Sequence, residues 1–179
     1  MNLFVIRHTK VDVKSGICYG QSNVGVADSF PNEKVKVASQ LEGIYFDKIF
    51  CSPLFRCKFL AEGLIVKDKI VFDERLKELN FGDWELKSWD EIYNSPKGKI
   101  WMDNYQILPT LNGESYPEMV ERVSSFYSEL ISKKYNNVAI FTHAGVIRIL
   151  KSIIEKLSID ELFSTFKPEY GSVTKFEIL

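Results

Sequence analysis

Two histidines occur in the 179 residues, His8 and His143. His8 stands after the apolar run Leu3-Phe4-Val5-Ile6 with only Arg7 between, and His143 follows Val138-Ala139-Ile140-Phe141-Thr142 directly. Continuous apolar runs of this length read as buried strands. A third, Lys48-Ile49-Phe50-Cys51, runs into Ser52-Pro53, and Arg56 falls in the first turn of the helix expected there. In open α/β sheets the carboxyl ends of the strands form the ligand crevice. Taken singly, a histidine or arginine after a strand is an ordinary loop residue. Four of them converging on one sheet edge form a chemical set. Two guanidiniums offer charge-assisted, bidentate bonds of the kind that hold phosphate. Two imidazoles beside them offer a nucleophile and an acid, or a pair of metal ligands. The metal use is the weaker one, because the arginines repel a divalent cation. No metal and no cofactor is expected.

The elements that must position these groups alternate along the chain. After the first strand comes a polar, Gly-containing loop from Thr9 to Ser29, then a weak helical pattern from Pro31 to Leu41 carrying Val35, Ala38 and Leu41. Beyond the second strand, Ser52 as N-cap and Pro53 as first helical residue predict a helix whose apolar face is Leu54, Cys57, Leu60, Ala61 and Leu64. Ile70-Val71-Phe72 predicts a third strand, and Glu78 to Trp84 has no clear period. Pro96, Gly98, Pro109 and Gly113 interrupt the stretch from 88 to 114, leaving short helical pieces near Trp89–Tyr93 and Ile100–Tyr105. Ser115-Tyr116-Pro117-Glu118 is a capping box. It opens an amphipathic helix with Met119, Val120, Val123, Phe126, Tyr127, Leu130 and Ile131 on one stripe. Gly145 leads into a helix with Val146, Ile149, Leu150, Ile153 and Ile154 inward, and Ser172 to Ile178 predicts a closing strand. Strands alternating with helices imply a three-layer α/β/α sandwich around a mostly parallel sheet. The expected organisation is one domain, 1–179, with 85–115 as a small cap-like excursion over the site.

Bulk properties exclude several classes. A formal net charge of -1 offers no general attraction to nucleic acid or an anionic membrane, so any anion site must be built locally. Cys18, Cys51 and Cys57 form no CxxC pair and stand far along the chain from both histidines, against a disulfide framework or zinc site and in favour of a reducing cytoplasm. The apolar start, Met1 to Ile6, is too short for a signal peptide and lacks a basic leader. No stretch approaches the roughly 18 apolar residues that span a bilayer. A cytoplasmic protein acting on a small molecule is the expectation, with its oligomeric state open.

Arg7-His8-Thr9 at the end of the first strand resembles the signature of the histidine phosphatase superfamily, also called phosphoglycerate mutase-like. Four further stretches match in the family order: Ser52 to Cys57, Leu76 to Glu85 (LKELNFGDWE), Gly113-Glu114-Ser115, and Thr142-His143-Ala144-Gly145. The resemblance spans Leu3 to Arg148. It implies that His8 takes the phosphoryl group on a ring nitrogen, splitting one displacement into two. Arg7, Arg56 and His143 are then the phosphate pocket, to which amides near Ala144 and Gly145 at a helix N-terminus would add. Glu78 resembles the family's proton donor, acting first as acid and then as base toward water. Glu74 and Glu85 flank it as competitors, and a solvated surface carboxylate is the ordinary fate of all three. Thr9 either bonds phosphate or caps its turn.

Gly16 to Asn23, together with Ser52 to Cys57 and Phe81 to Glu85, is similar to the α-ribazole phosphatase branch, whose members dephosphorylate α-ribazole 5′-phosphate late in cobalamin assembly. Tyr19 and Gln21 then become contacts to phosphate or substrate, or simply pack beside the pocket. Trp89, Trp101 and Tyr105 would cover an aromatic substrate such as a benzimidazole, or simply pack, their more frequent use. The 85–115 excursion is short for a phosphoglycerate mutase, which implies that water reaches the phosphorylated histidine. Three positions depart from the branch pattern: Asn23 where Asp is usual, Gly25 where Pro is frequent, and Leu86 where Gly is expected. The alternatives are a sugar-phosphate phosphatase of broad specificity, a phosphoglycerate mutase-like enzyme, and a catalytically silent phosphate-binding protein.

Overall fold

The computed structural model describes residues 1–178; Leu179, the last residue of the expected domain, lies outside them. Five strands form one sheet among the described residues: β1 (Asn2–Arg7), β2 (Lys48–Cys51), β3 (Ile70–Phe72), β4 (Asn137–Thr142) and β5 (Val173–Glu177), in the order β3-β2-β4-β1-β5. All neighbours are parallel except β5, which runs antiparallel to β1 at the edge. The α/β sandwich with a mostly parallel sheet is therefore what forms.

Strand pleating divides the core. Leu3 and Val5 of β1 and Val138 and Ile140 of β4 point to one face. There they meet Met119, Val123, Phe126 and Leu130 of α5 (Tyr116–Ile131) and Val146, Ile149 and Leu150 of α6 (Ala144–Glu155). Phe4, Ile6, Ala139 and Phe141 point to the other, where α1 (Phe30–Gln40) contributes Val37 and α2 (Phe55–Leu64) contributes Cys57, Leu60 and Ala61. Two stripes differ from expectation. On α1 the inward residue is Val37, whereas Val35 and Ala38 face solvent; on α5, Ile131 is exposed at the last turn.

The capping box at Ser115 and Glu118 forms with both reciprocal bonds, and a second box, Ser88 with Glu91, opens α3 (Trp89–Asn94). α4 (Pro96–Asn104) follows at once. α7 (Ile159–Thr165), unannounced by any pattern, fills the connection to β5. Ser52 does not cap α2. That helix begins at Phe55, whose amide donates to Asn23 Oδ1 at 3.0 Å. Leu86 adopts φ 64°, a left-handed conformation that disfavours any side chain, which explains why glycine suits this position.

Candidate active site

Because β1, β2 and β4 are parallel, their carboxyl ends share one edge. Arg7 pairs with Thr142 in register, the His8 amide donates to the Thr142 carbonyl at 3.1 Å, and the Ser52 amide donates to the Phe141 carbonyl at 2.9 Å. His8, His143 and Arg56 are thereby gathered and buried together, with the two imidazole centroids 5.2 Å apart.

His8 is oriented by its own backbone. Nδ1 lies 2.8 Å from the Thr9 carbonyl, which can only accept, so Nδ1 carries the proton and Nε2 keeps its lone pair. Arg56 Nε donates to that lone pair at 3.2 Å. Burial first, then the Arg56 and Arg7 charges, hold the His8 pKa well below 6.5. The ring is neutral and nucleophilic at neutral pH. His143 is likewise held well below 6.5, by burial and then by Arg56. Its Nε2 shares a 2.8 Å hydrogen bond with Ser52 Oγ, so Ser52 holds His143 instead of capping a helix. Cys57 Sγ is 3.4 Å from the same nitrogen. Distant in sequence, this thiol is adjacent in space, and burial pushes it up to about 12, leaving it neutral.

Arg56 is itself fixed by the Thr9–Ser29 loop, donating to the carbonyls of Ser22 at 3.1 Å and Gly20 at 2.6 Å. What shapes that loop is Glu85. Its carboxylate accepts from the amides of Gly20, Gln21, Ser22 and Phe81 and from the Ser22 hydroxyl, and these bonds lower its pKa against the opposing effect of burial. Glu85 is thus a structural carboxylate, and Glu74 pairs with Lys77 at the surface. Of the three candidates, Glu78 is the one on the cavity wall.

Glu78 Oε2 accepts from the Gly145 amide at 3.1 Å, at the N-terminus of α6. An amide expected to face phosphate therefore serves this carboxylate. A Cβ on Gly145 would stand 2.2 Å from Glu78 Oε1, so the approach requires glycine.

These groups open on a cavity of about 390 Å³. Arg7, His8, Tyr19, Arg56 and Glu78 line its polar end, and Phe81, Trp89, Trp101, Met102, Tyr105 and Phe163 its apolar end. The aromatic rings meet edge to face, Phe81 with Trp89 at 5.3 Å and Tyr105 with Phe163 at 5.6 Å.

Four expected contacts lie elsewhere. His143 is fully buried, beside His8 and off the wall. The Thr9 hydroxyl is buried without a partner, and the residue contributes its carbonyl instead. Gln21 points away from the cavity and donates to the Glu78 carbonyl at 3.0 Å. Ala144 opens α6, but the wall is reached by Gly145. Tyr170 and Arg148 escaped sequence reasoning. Arg7 lies 3.8 Å over the Tyr170 ring, and the Tyr170 hydroxyl bonds that of Tyr19 at 2.6 Å. Arg148 also lines the cavity, its Nε bound to the Phe166 carbonyl. Tyr170 belongs to no motif, whereas Arg148 lies one turn beyond Gly145 among Val146, Ile147, Ile149 and Leu150, a signal that was legible.

Residues 3–179 match the model of the histidine phosphatase superfamily, branch 1. A Hydrogenobacter thermophilus protein with the provisional name phosphoserine phosphatase 2 is 25% identical over 176 residues, spanning 94% of this chain and 86% of its own length. A 2,3-bisphosphoglycerate-dependent phosphoglycerate mutase 2 of Lactiplantibacillus plantarum is 27% identical over 195 positions, spanning 82% of this chain and 85% of its own. Among solved structures, the α-ribazole phosphatase from Shigella flexneri superposes with a TM-score of 0.91 at 22% identity, covering 100% of this chain and 91% of that one. At that identity the likeness is one of fold.

Proposed function

The chain belongs to the histidine phosphatase superfamily, branch 1, and is a phosphoric monoester hydrolase; from that premise we propose that it works through a phosphohistidine on His8 and that its substrate is α-ribazole 5′-phosphate. His8 Nε2 attacks phosphorus while the ester P–O bond breaks, and protonated Glu78 gives its proton to the leaving alkoxide. The Thr9 carbonyl, bonded to Nδ1–H, stabilises the positive charge that the ring acquires. Arg7 and Arg56 offset charge on the phosphoryl oxygens, while neutral His143, buried beside His8 and bonded to Ser52, lies behind them. Glu78, now a carboxylate, takes a proton from water as its oxygen attacks phosphorus. The P–N bond breaks, Nε2 recovers its lone pair, and phosphate departs.

The observation that carries the substrate is the cavity itself. A nucleophile at one end and a wall of aromatic rings at the other suit a phosphomonoester with a flat apolar body, such as a benzimidazole riboside. Serine or glycerate would leave that wall without a partner. In this reading residues 85–115 roof the site through Trp89, Trp101, Met102 and Tyr105. The site of action is the cytoplasm, in keeping with three buried free cysteines and with no described helix long and apolar enough to cross a membrane.

The test is a panel of α-ribazole 5′-phosphate, phosphoserine, 3-phosphoglycerate and hexose phosphates. The α-ribazole ester should lead by more than about tenfold in kcat/KM, roughly 1.4 kcal/mol. A flat profile would return the enzyme to broad specificity, and no turnover of any ester would leave only phosphate binding.

A further inference from the structure

The Gly113-Glu114-Ser115 motif has no part in the chemistry above. Ser115 caps α5, but Glu114 is occupied differently. Its carboxylate accepts from Arg122 Nε at 2.5 Å and Nη2 at 2.9 Å, and from the Asn80 amide at 3.2 Å. Arg122, one side of α5, turns its other donors to backbone. Nη1 reaches the carbonyls of Arg75 and Lys77, both at 2.7 Å, and Nη2 reaches the Glu78 carbonyl at 3.1 Å. All five guanidinium N–H donors thus have acceptors. The segment they hold lacks regular structure from Lys77 to Phe81 and carries Glu78.

Only 18% of the Arg122 side chain and 14% of that of Glu114 is exposed. Burying an ion pair is a poor way to gain stability, since two apolar side chains often serve as well. What apolar side chains cannot supply is a rigid fork that gathers three carbonyls of one segment. The pair faces a shallow hollow with Gln21, Asn80 and Glu118, on a different surface from the cavity, so it touches no substrate.

We propose that Glu114 and Arg122 are positioning residues for proton transfer, fixing the 75–80 segment so that the Glu78 carboxylate stands at the Gly145 amide on the cavity wall. The proposal rests on the reading of Glu78 as proton carrier. It predicts a loss confined to steps that need that proton.

The experiment compares Arg122→Met, Glu114→Gln and Glu78→Gln on two substrates, with melting temperatures measured alongside. β-Glycerophosphate has an alkoxide leaving group that needs a proton, whereas the p-nitrophenolate of p-nitrophenyl phosphate leaves without one. Arg122→Met should lower kcat for β-glycerophosphate by about 10- to 100-fold with KM within about twofold, and should change the p-nitrophenol burst rate by less than about threefold. Glu114→Gln should show the same pattern more weakly, and serves if the methionine variant does not fold. Arg122→Met combined with Glu78→Gln should be no slower than Glu78→Gln alone. Equal loss on both substrates, or losses that multiply in the double variant, would make the pair mere scaffold and overturn the proposal. If Glu78→Gln is slow and the other two variants are not, the positioning claim alone fails. If Glu78→Gln itself turns over β-glycerophosphate normally, the proton-carrier reading fails and this proposal with it.

Discussion

At the phosphate end of the cavity, His8 and His143 follow strand ends directly and Arg56 lies in the first turn of a helix that follows another. At the leaving-group end, the wall is collected from short helices, a 3-10 turn and the connection before β5, with Phe81, Trp101 and Phe163 meeting only in space. The first end is fixed by sheet register and backbone hydrogen bonds. The second is fixed by aromatic packing. A pleated sheet places its strand ends with little freedom, so the reacting groups are buried and nearly fully bonded. Ring-on-ring packing tolerates substitution, which makes the leaving-group end the place where specificity can change without loss of chemistry.

Substitution at each end tests that contrast. Arg56→Gln removes the donor to His8 and the bonds to Gly20 and Ser22, and should lower kcat by roughly 10²–10³-fold on every ester, aromatic or not. It should also move the pH profile. With Arg56 present, the His8 pKa lies well below 6.5, so the acid limb of kcat/KM set by this group lies well below 6.5 too. Removing the positive charge raises that pKa, and the limb should shift upward, toward 6.5. An unshifted limb would mean that Arg56 does not govern His8.

Trp101→Ala should act at the other end alone. Loss of one ring from the apolar wall should raise KM for α-ribazole 5′-phosphate by about tenfold or more while leaving β-glycerophosphate within about threefold. It should also destabilise the fold by about 3–5 kcal/mol, because the indole is buried. Equal effects on both esters would erase the distinction between the two ends.

The same contrast explains what could be read from residues alone. Strand-end histidines and the arginines near them are local patterns, and the sheet order that joins them follows from alternating strands and helices. The capping box at Ser115 is local too, and forms as expected. Ser52 reads as an N-cap because a Ser-Pro pair fits a helix start, while its actual bond to His143 links positions 91 apart. Glu85 reads as a surface acid because three of the four amides it collects lie more than 60 residues away, in the 20–22 loop. Tyr170 carries no periodic or motif signal, and only the antiparallel return of β5 brings it over Arg7. What was illegible is what depends on loops meeting at long range.

The central claim is a covalent phosphoryl group on His8. Rapid quenching during turnover of ³²P-labelled α-ribazole 5′-phosphate or p-nitrophenyl phosphate should trap label on the protein that survives base, is lost in acid, maps to the peptide containing His8, and is absent from His8→Ala. Label of the same chemistry on another residue, or undiminished labelling of His8→Ala, would contradict the account.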